Sequence, residues 1–362
     1  MRVCIITVYN SENCGSYLQA FALKETLQRL GHMVVFYQRK RGIAPPSWSR
    51  VLKSIIIKTI EGKYKELPYF IKTHLTFRKW EKTFEVISAS EEIANPCDCY
   101  FFGSDTLWNL DSEHFLYDHE VYWGAKFSGK QLFTYAVSVS NTSFETLMKH
   151  KFVMSDINNF KKISVRDNHT HEVVSKLTTI NVNDVCDPTL LINIQDYNWL
   201  VCDKIRRKIQ GTYLLIYVFE DHVFTHEEQQ TIKTFSRKNG LKIVSLGEKR
   251  KWCDYSFHYS PDTFVTLFKY ADRVITNTFH GTIFSIIYRK NFVSLAVKKI
   301  KVKELLDEFC LNSQNIKSVE QIDDILSKSV DYNLAENVIN KKVRKSIQYI
   351  NDCLSTCGEC ED

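Results

Sequence analysis

"RVCIITVYNSENCGSYLQAFALKETLQRLGHMVVFYQ", residues 2–38, decides how the chain folds. An apolar run to Tyr9 gives way to a polar, glycine-containing loop. Leu18, Phe21, Ala22, Leu27 and Leu30 then recur at helical spacing, and the pattern stops at Gly31, where helices commonly end. "HMVVFYQ" is apolar again. A strand, a helix and a second strand in that order predict a parallel sheet with helices on its faces.

The same alternation continues along the chain. "CDCYFFGSDTLWN" (97–109), "QLFTYAVSVS" (131–140), "KKISVRD" (161–167) and "VNDVCDPTLLI" (182–192) each run from a strand into a turn. Residues 189–210 read as a crossing, and the pattern restarts at "TYLLIYVF" (212–219). It continues through "LKIVSLG" (241–247), "SPDTFVTLFKYA" (260–271), "DRVITNTFHG" (272–281) and "NFVSLAV" (291–297). The expected architecture is α/β, with two Rossmann-like domains facing each other across a cleft. We place the domains at 1–190 and 205–330. Residues 331–362 form a helix and a cysteine-containing tail that packs back on the N-terminal domain. Ligands of such sheets bind at the carboxyl ends of the strands, so the loops after residues 9, 102, 165 and 276 are expected to converge.

The chain has 362 residues, 48 Lys and Arg against 42 Asp and Glu, and a net charge of +6. That balance does not call for nucleic acid; an anionic small substrate or a membrane surface suits it equally. No run of 18 apolar residues occurs, and the start lacks the long apolar core of a secretory signal. Eleven cysteines, several in strand contexts, suit a reducing cytoplasm. Cys353, Cys357 and Cys360 cluster near the C-terminus but fall short of the usual four ligands of a structural metal, so no metal site is expected. Residues 39–65 carry eight Lys or Arg and one acidic residue, Glu61. Leu52, Ile55, Ile56 and Ile60 interleave with Lys53 and Lys58 in a helix expected from Trp48 to Tyr64. This is either a docked helix with a basic face or one lying on an anionic membrane.

The stretch "NTFHGTIFS" (277–285) carries the sharpest chemical signal. His280 precedes a helix start, where free N–H groups and the helix dipole favour an anion. Gly281 allows a ligand to come close to the backbone. A ring so placed serves as proton donor once an anionic substrate arrives, or it is a capping or core histidine. Arg166 either grips a carboxylate or phosphate with two prongs or pairs with Asp167 or a neighbour. Asp105 is placed to accept a proton or hydrogen bond from a sugar hydroxyl, beside Gly103 and Ser104. Trp108 either stacks on a sugar or belongs to the core. Asn10, Asn13, Gly15 and Gln19 surround a tight turn at a helix start. The chain has no HExxH, GxSxG or P-loop motif.

Taken in order, "NSENCGSYLQAFAL", "FFGSDTLWN", "YAVSVS", "ISVRD", "CDPTLLI" and the stretch 260–295 resemble the polysaccharide pyruvyl transferase family, over residues 1 to about 310. The resemblance implies a GT-B-like fold and phosphoenolpyruvate as donor substrate, with no other cofactor. The acceptor is a sugar in a surface polysaccharide or capsule, or its undecaprenyl-linked oligosaccharide precursor, at the inner face of the membrane. It assigns His280 as general acid and Arg166 as the basic donor-binding residue, and the chemistry of ketal formation leaves Asp105 as base or hydrogen-bond acceptor for the sugar. Asn10, Asn13, Gly15, Gly103, Ser104, Asn277, Thr278, Phe279, Gly281 and Lys301 are the expected substrate contacts. Thr278 stands where some relatives have Arg, which leaves the donor's second anionic group to the N–H groups at Gly281 and Thr282; Lys301 also stands where relatives often have Arg. A glycosyltransferase using a nucleotide sugar is the competing enzyme, and a non-catalytic carbohydrate-binding protein the competing class.

Overall fold

The computed structural model describes residues 1–38, 48–60, 67–219 and 222–358. Strands β1 (Arg2–Ile6), β2 (Met33–Tyr37), β3 (Val86–Ile87), β4 (Cys99–Phe102), β5 (Leu132–Thr134), β6 (Phe160–Val165) and β7 (Val182–Asp184) form one sheet. Its order is β3-β2-β1-β4-β5-β6-β7, with each neighbouring pair parallel. Strands β8 (Tyr213–Tyr217), β9 (Lys242–Leu246), β10 (Tyr255–Phe257), β11 (Arg273–Thr276) and β12 (Asn291–Ser294) form a second parallel sheet, ordered β10-β9-β8-β11-β12. The central strands are buried along their length, as a parallel sheet covered on both faces requires.

Two compact units result. Counting described residues, the first holds Met1–Leu67, His74–Ile192 and Lys341–Asp362; the second holds Pro68–Thr73 and Asn193–Asn340. In the first, helix α1 (Cys14–Arg29) follows the loop after β1 and ends two residues before Gly31, whose φ of +88° is a conformation glycine adopts without strain. The final helix, Asn333–Gly358, docks its later turns within this unit. Tyr349 Oη donates to the Thr134 carbonyl at 2.9 Å, and Ser346 Oγ accepts from Cys186 N at 2.9 Å. Cys353 lies buried on the same face, and burial pushes its thiol up to about 12. Cys360 lies outside the described residues.

Several sequence expectations shift. The helix expected from Trp48 to Tyr64 is described as α2 (Trp48–Ile60), and much of the basic 39–65 stretch falls outside the described residues. A further helix, α3 (Leu67–Glu81), was not anticipated. The crossing at 189–210 contains short helical turns at Ile194–Leu200 and Asp203–Arg206. Strand β5 is shorter than its apolar run because the chain turns at Ala136, with φ of 54°.

Trp108 resolves in favour of the core. It is fully buried, stacks on Trp123 at 4.6 Å and 15°, and donates from Nε1 to the Tyr122 carbonyl at 3.0 Å. A sugar cannot reach that ring. Trp108→Ala is therefore expected to cost about 3–5 kcal/mol in urea unfolding, the range for emptying a buried aromatic site. The loss of stability, rather than any change in sugar affinity, is the expected signature.

Candidate functional site

In the first sheet the strand order reverses between β1 and β4, and ligands of such sheets bind outside the carboxyl ends of the strands at such a point. The loop after β1 and the turn after β4 flank it. Gln19, fully buried on α1, joins them: its Oε1 accepts from Ser104 N at 3.0 Å, and its Nε2 faces Thr7 Oγ1, the Val8 carbonyl and the Ser16 carbonyl at 2.8–3.2 Å. Gly103 has φ of +120°, and a Cβ there would lie 2.1 Å from the Tyr135 carbonyl oxygen. Only glycine fits. The Ser104 side chain is fully buried.

Asn13 caps α1. Its Oδ1 accepts from Gly15 N at 2.8 Å and Ser16 N at 3.4 Å, so these two amides are spent within the turn rather than on a ligand. Gly15 is buried, while Asn10 remains partly exposed at the start of the loop. Asp105 is partly exposed and well held: Oδ2 accepts from Ser16 Oγ at 2.8 Å and Oδ1 from Thr106 N at 2.7 Å. The structure thus brings Asn13, Gly15, Gly103, Ser104 and Asp105 to one edge.

Arg166 stands apart, at the end of β6, two strands beyond β4. Its Nη1 pairs with Asp187 Oδ2 at 2.9 Å, and both side chains are buried. Asp167 caps the helix Asn168–Val174 through Thr170 N at 2.8 Å. The other oxygen of Asp187 accepts from Thr189 N and Oγ1. Burying a guanidinium is costly unless a carboxylate accompanies it, and Asp187 fixes this one in place.

The second sheet reverses between β8 and β11, and His280 follows β11. It is the second residue of the helix Phe279–Ile287 and partly exposed, with its ring edge-on to Phe279 at 5.4 Å and 88°. Three neighbours differ from their expected roles. Asn277 is buried, and its Oδ1 accepts from Phe219 N at 3.0 Å, tying the two switch-point strands together. Thr278 caps the helix through Gly281 N at 2.9 Å, and Thr282 N bonds the Thr278 carbonyl at 3.0 Å. The amides of Gly281 and Thr282 are accordingly committed inside the helix and do not take the donor's second anionic group. Gly281 is needed for packing: a Cβ there would lie 2.2 Å from Thr276 Oγ1 and 2.7 Å from Tyr217 Cδ1. Lys301 is partly exposed in the helix Ile300–Glu308.

Sequence reasoning missed an acid–base group on α3. His74, Arg78 and Glu81 share one helix face by their spacing. His74 is fully buried, and its Nδ1 lies 2.7 Å from Oε1 of Glu12, in the loop after β1. Burial pushes the Glu81 carboxyl up to about 7, with Arg78 pulling it down and Glu12 adding a smaller upward push. The unanticipated helix hid this group from the sequence. Among the described residues no three His, Cys, Asp or Glu side chains gather as metal ligands would, and no helix is long and apolar enough to cross a membrane.

The family model for polysaccharide pyruvyl transferases matches residues 13–299, most of the chain, and the chain belongs to that family of transferases. No curated protein matches it in sequence. Its fold is similar to that of UDP-GlcNAc 2-epimerase from Neisseria meningitidis bound to UDP-GlcNAc, at 8% identity and a TM-score of 0.56, covering 98% of this chain and 100% of that one. It is similar again to UDP-GlcNAc 2-epimerase from Methanocaldococcus jannaschii, at 10% identity and a TM-score of 0.55, covering 94% and 99%. These likenesses establish the two-domain, GT-B-like α/β fold.

Glu81 yields a test of the α3 group. A carboxyl raised from 4.5 to about 7 holds its proton longer in the folded protein than in the unfolded chain. Stability is then full below about 4.5 and falls as pH rises towards 7. Glu81→Gln is expected to melt higher than the parent at pH 8 and level with it at pH 4; equal melting at both would show that the carboxyl is not held this way.

Proposed function

From this family membership we propose that the protein transfers the enolpyruvyl group of phosphoenolpyruvate onto two hydroxyls of a sugar. The product is a cyclic ketal, within a surface polysaccharide or its lipid-linked precursor, and phosphate is released. The observation that carries the reading is His280: a partly exposed imidazole in the first turn of a helix, at the switch point of the second sheet and inside the family-matched region.

The chemistry needs a proton donor at the methylene carbon. His280 supplies it, converting the methylene to a methyl group and leaving an oxocarbenium-like carbon. The helix N-terminus favours the nearby negative charge of the donor. A sugar hydroxyl oxygen bonds to that carbon, the carbon–oxygen bond to phosphate breaks, and a second hydroxyl closes the ring. Two hydroxyl protons are released; one restores the imidazolium and the other leaves on phosphate. Arg166, held by Asp187, takes an anionic group of the donor, and Lys301 takes the second in place of Gly281 and Thr282. Asp105, with both oxygens already accepting, orients an acceptor hydroxyl together with Asn10. Asn13, Gly103, Ser104, Asn277, Thr278 and Phe279 shape the loops that hold these groups.

We place the protein at the inner face of the membrane, through α2. Leu52, Ile56 and Ile57 are each more than half exposed, and Ile60 is 81% exposed, beside an exposed Lys53. With the basic residues of 39–65, an anionic lipid surface is the matching partner.

Phosphate release from phosphoenolpyruvate, measured over a panel of free and lipid-linked sugars, tests the reaction. Release by the parent protein is expected to depend on one acceptor and to fall at least about 100-fold in His280→Ala. Wild-type turnover in that variant would remove the acid assignment. A melting shift with UDP and none with phosphoenolpyruvate would favour a nucleotide-sugar enzyme instead. For the membrane, co-sedimentation with phosphatidylglycerol vesicles is expected, lost in the double variant Ile56→Asp, Ile60→Asp; equal binding by both would sink the α2 assignment.

A further inference from the structure

The transfer proposed above releases two hydroxyl protons and so requires a base, and resting on that reading we infer that Glu12 is this base, held in position by His74. Glu12 sits in the loop after β1, at the switch point of the first sheet, next to the residue that caps α1. Its side chain is 24% exposed, while its partner His74 is fully buried. An ionised carboxylate can only accept hydrogen bonds, so the imidazole donates to it through Nδ1, across 2.7 Å. One oxygen is thereby anchored from inside the protein, while the side chain keeps part of its surface exposed. A surface glutamate without such a partner would sample many rotamers.

Asp105 at the same edge is less suited to take a proton. Both its oxygens already accept, from Ser16 Oγ and Thr106 N, which suits it to holding a hydroxyl in place. The two carboxylates divide the work: Asp105 orients the acceptor hydroxyl, and Glu12 removes its proton as the oxygen bonds to the ketal carbon. The first proton passes from Glu12 to the departing phosphate, and the second, taken the same way, returns through solvent to His280, so that carboxylate and imidazolium are both restored. The titratable groups of α3 beside Glu12 are His74 and Glu81, and Arg78 stands beside Glu81. Glu81 is protonated over the acid half of the pH range and so adds little repulsion there.

His74 touches no substrate in this scheme and is a positioning residue. Its role separates from plain packing because asparagine at 74 presents an N–H close to where Nδ1 stands, while alanine presents none.

The experiment is phosphate release from phosphoenolpyruvate with methyl galactoside, methyl glucoside and methyl mannoside, each offering a 4,6-diol, as a function of pH. Glu12→Gln keeps an acceptor for His74 and is expected to melt with the parent. It should bind phosphoenolpyruvate within about twofold of the parent and lose at least about 100-fold in kcat/KM for the sugar. The acid limb of the pH profile should vanish with it. His74→Ala should lose about tenfold in kcat with an altered acid limb, and His74→Asn should recover most of that. Parent-like turnover and pH profile in Glu12→Gln would overturn this assignment alone. A parent protein that releases no phosphate with any of the sugars would overturn the pyruvyl reading and this one together.

Discussion

The carboxamide of Gln19 is fully buried and meets three segments at once: the end of β1, the first turn of α1 and the turn after β4. An amide buried with a missing partner costs on the order of 1–3 kcal/mol, so each of these segments is held to the position that satisfies it. Asp105 reaches Ser16, and Glu12 reaches His74, from the loops that this group borders. Gly103 completes the constraint, since the turn after β4 runs so close to Tyr135 that no side chain fits there.

The second switch point is built by different means. Asn277 links β11 to Phe219, two residues beyond β8, and Thr278 closes the first turn of the His280 helix. Side chains that sequence order places beside His280 are thus spent on backbone groups. The histidine is left as the group of that segment with both chemical range and partial exposure. In the first sheet the division is reversed: the hub is apart from the exposed carboxylates, and two acidic side chains of unlike surroundings share one edge.

Much of the architecture was legible because it is periodic. The apolar runs of β1, β2, β4, β8 and β11 and the helical spacing of α1 have a repeat that a reader of sequence can count. The two-residue β3, the three-residue β10 and helix α3 lacked that signal: β3 is too short to show a period, and α3 carries polar residues, His74 among them, on an inward face. The site was legible by residue type and not by partnership. Nothing in "NTFHGT" says that Asn277 faces Phe219, or that Gly281 is there because Thr276 and Tyr217 leave no room. Nor does "SVRD" reveal that Arg166 pairs with Asp187, twenty-one positions on. Trp108 had two readings of equal weight, and only the ring of Trp123 above it decides between them.

The docking of the last helix on the first sheet has a consequence for how the chain is made. Tyr349 closes on Thr134 across 215 positions, and Ser346 on Cys186 across 160. A ribosome delivers β1 to β7 and then the whole second unit before these partners emerge. The β5 and β6 side of the first sheet therefore waits, with its docking face uncovered, while later segments fold. Contacts of such separation slow assembly and prolong the exposure of apolar surface. The unit whose first strands are synthesised earliest is the last to be sealed.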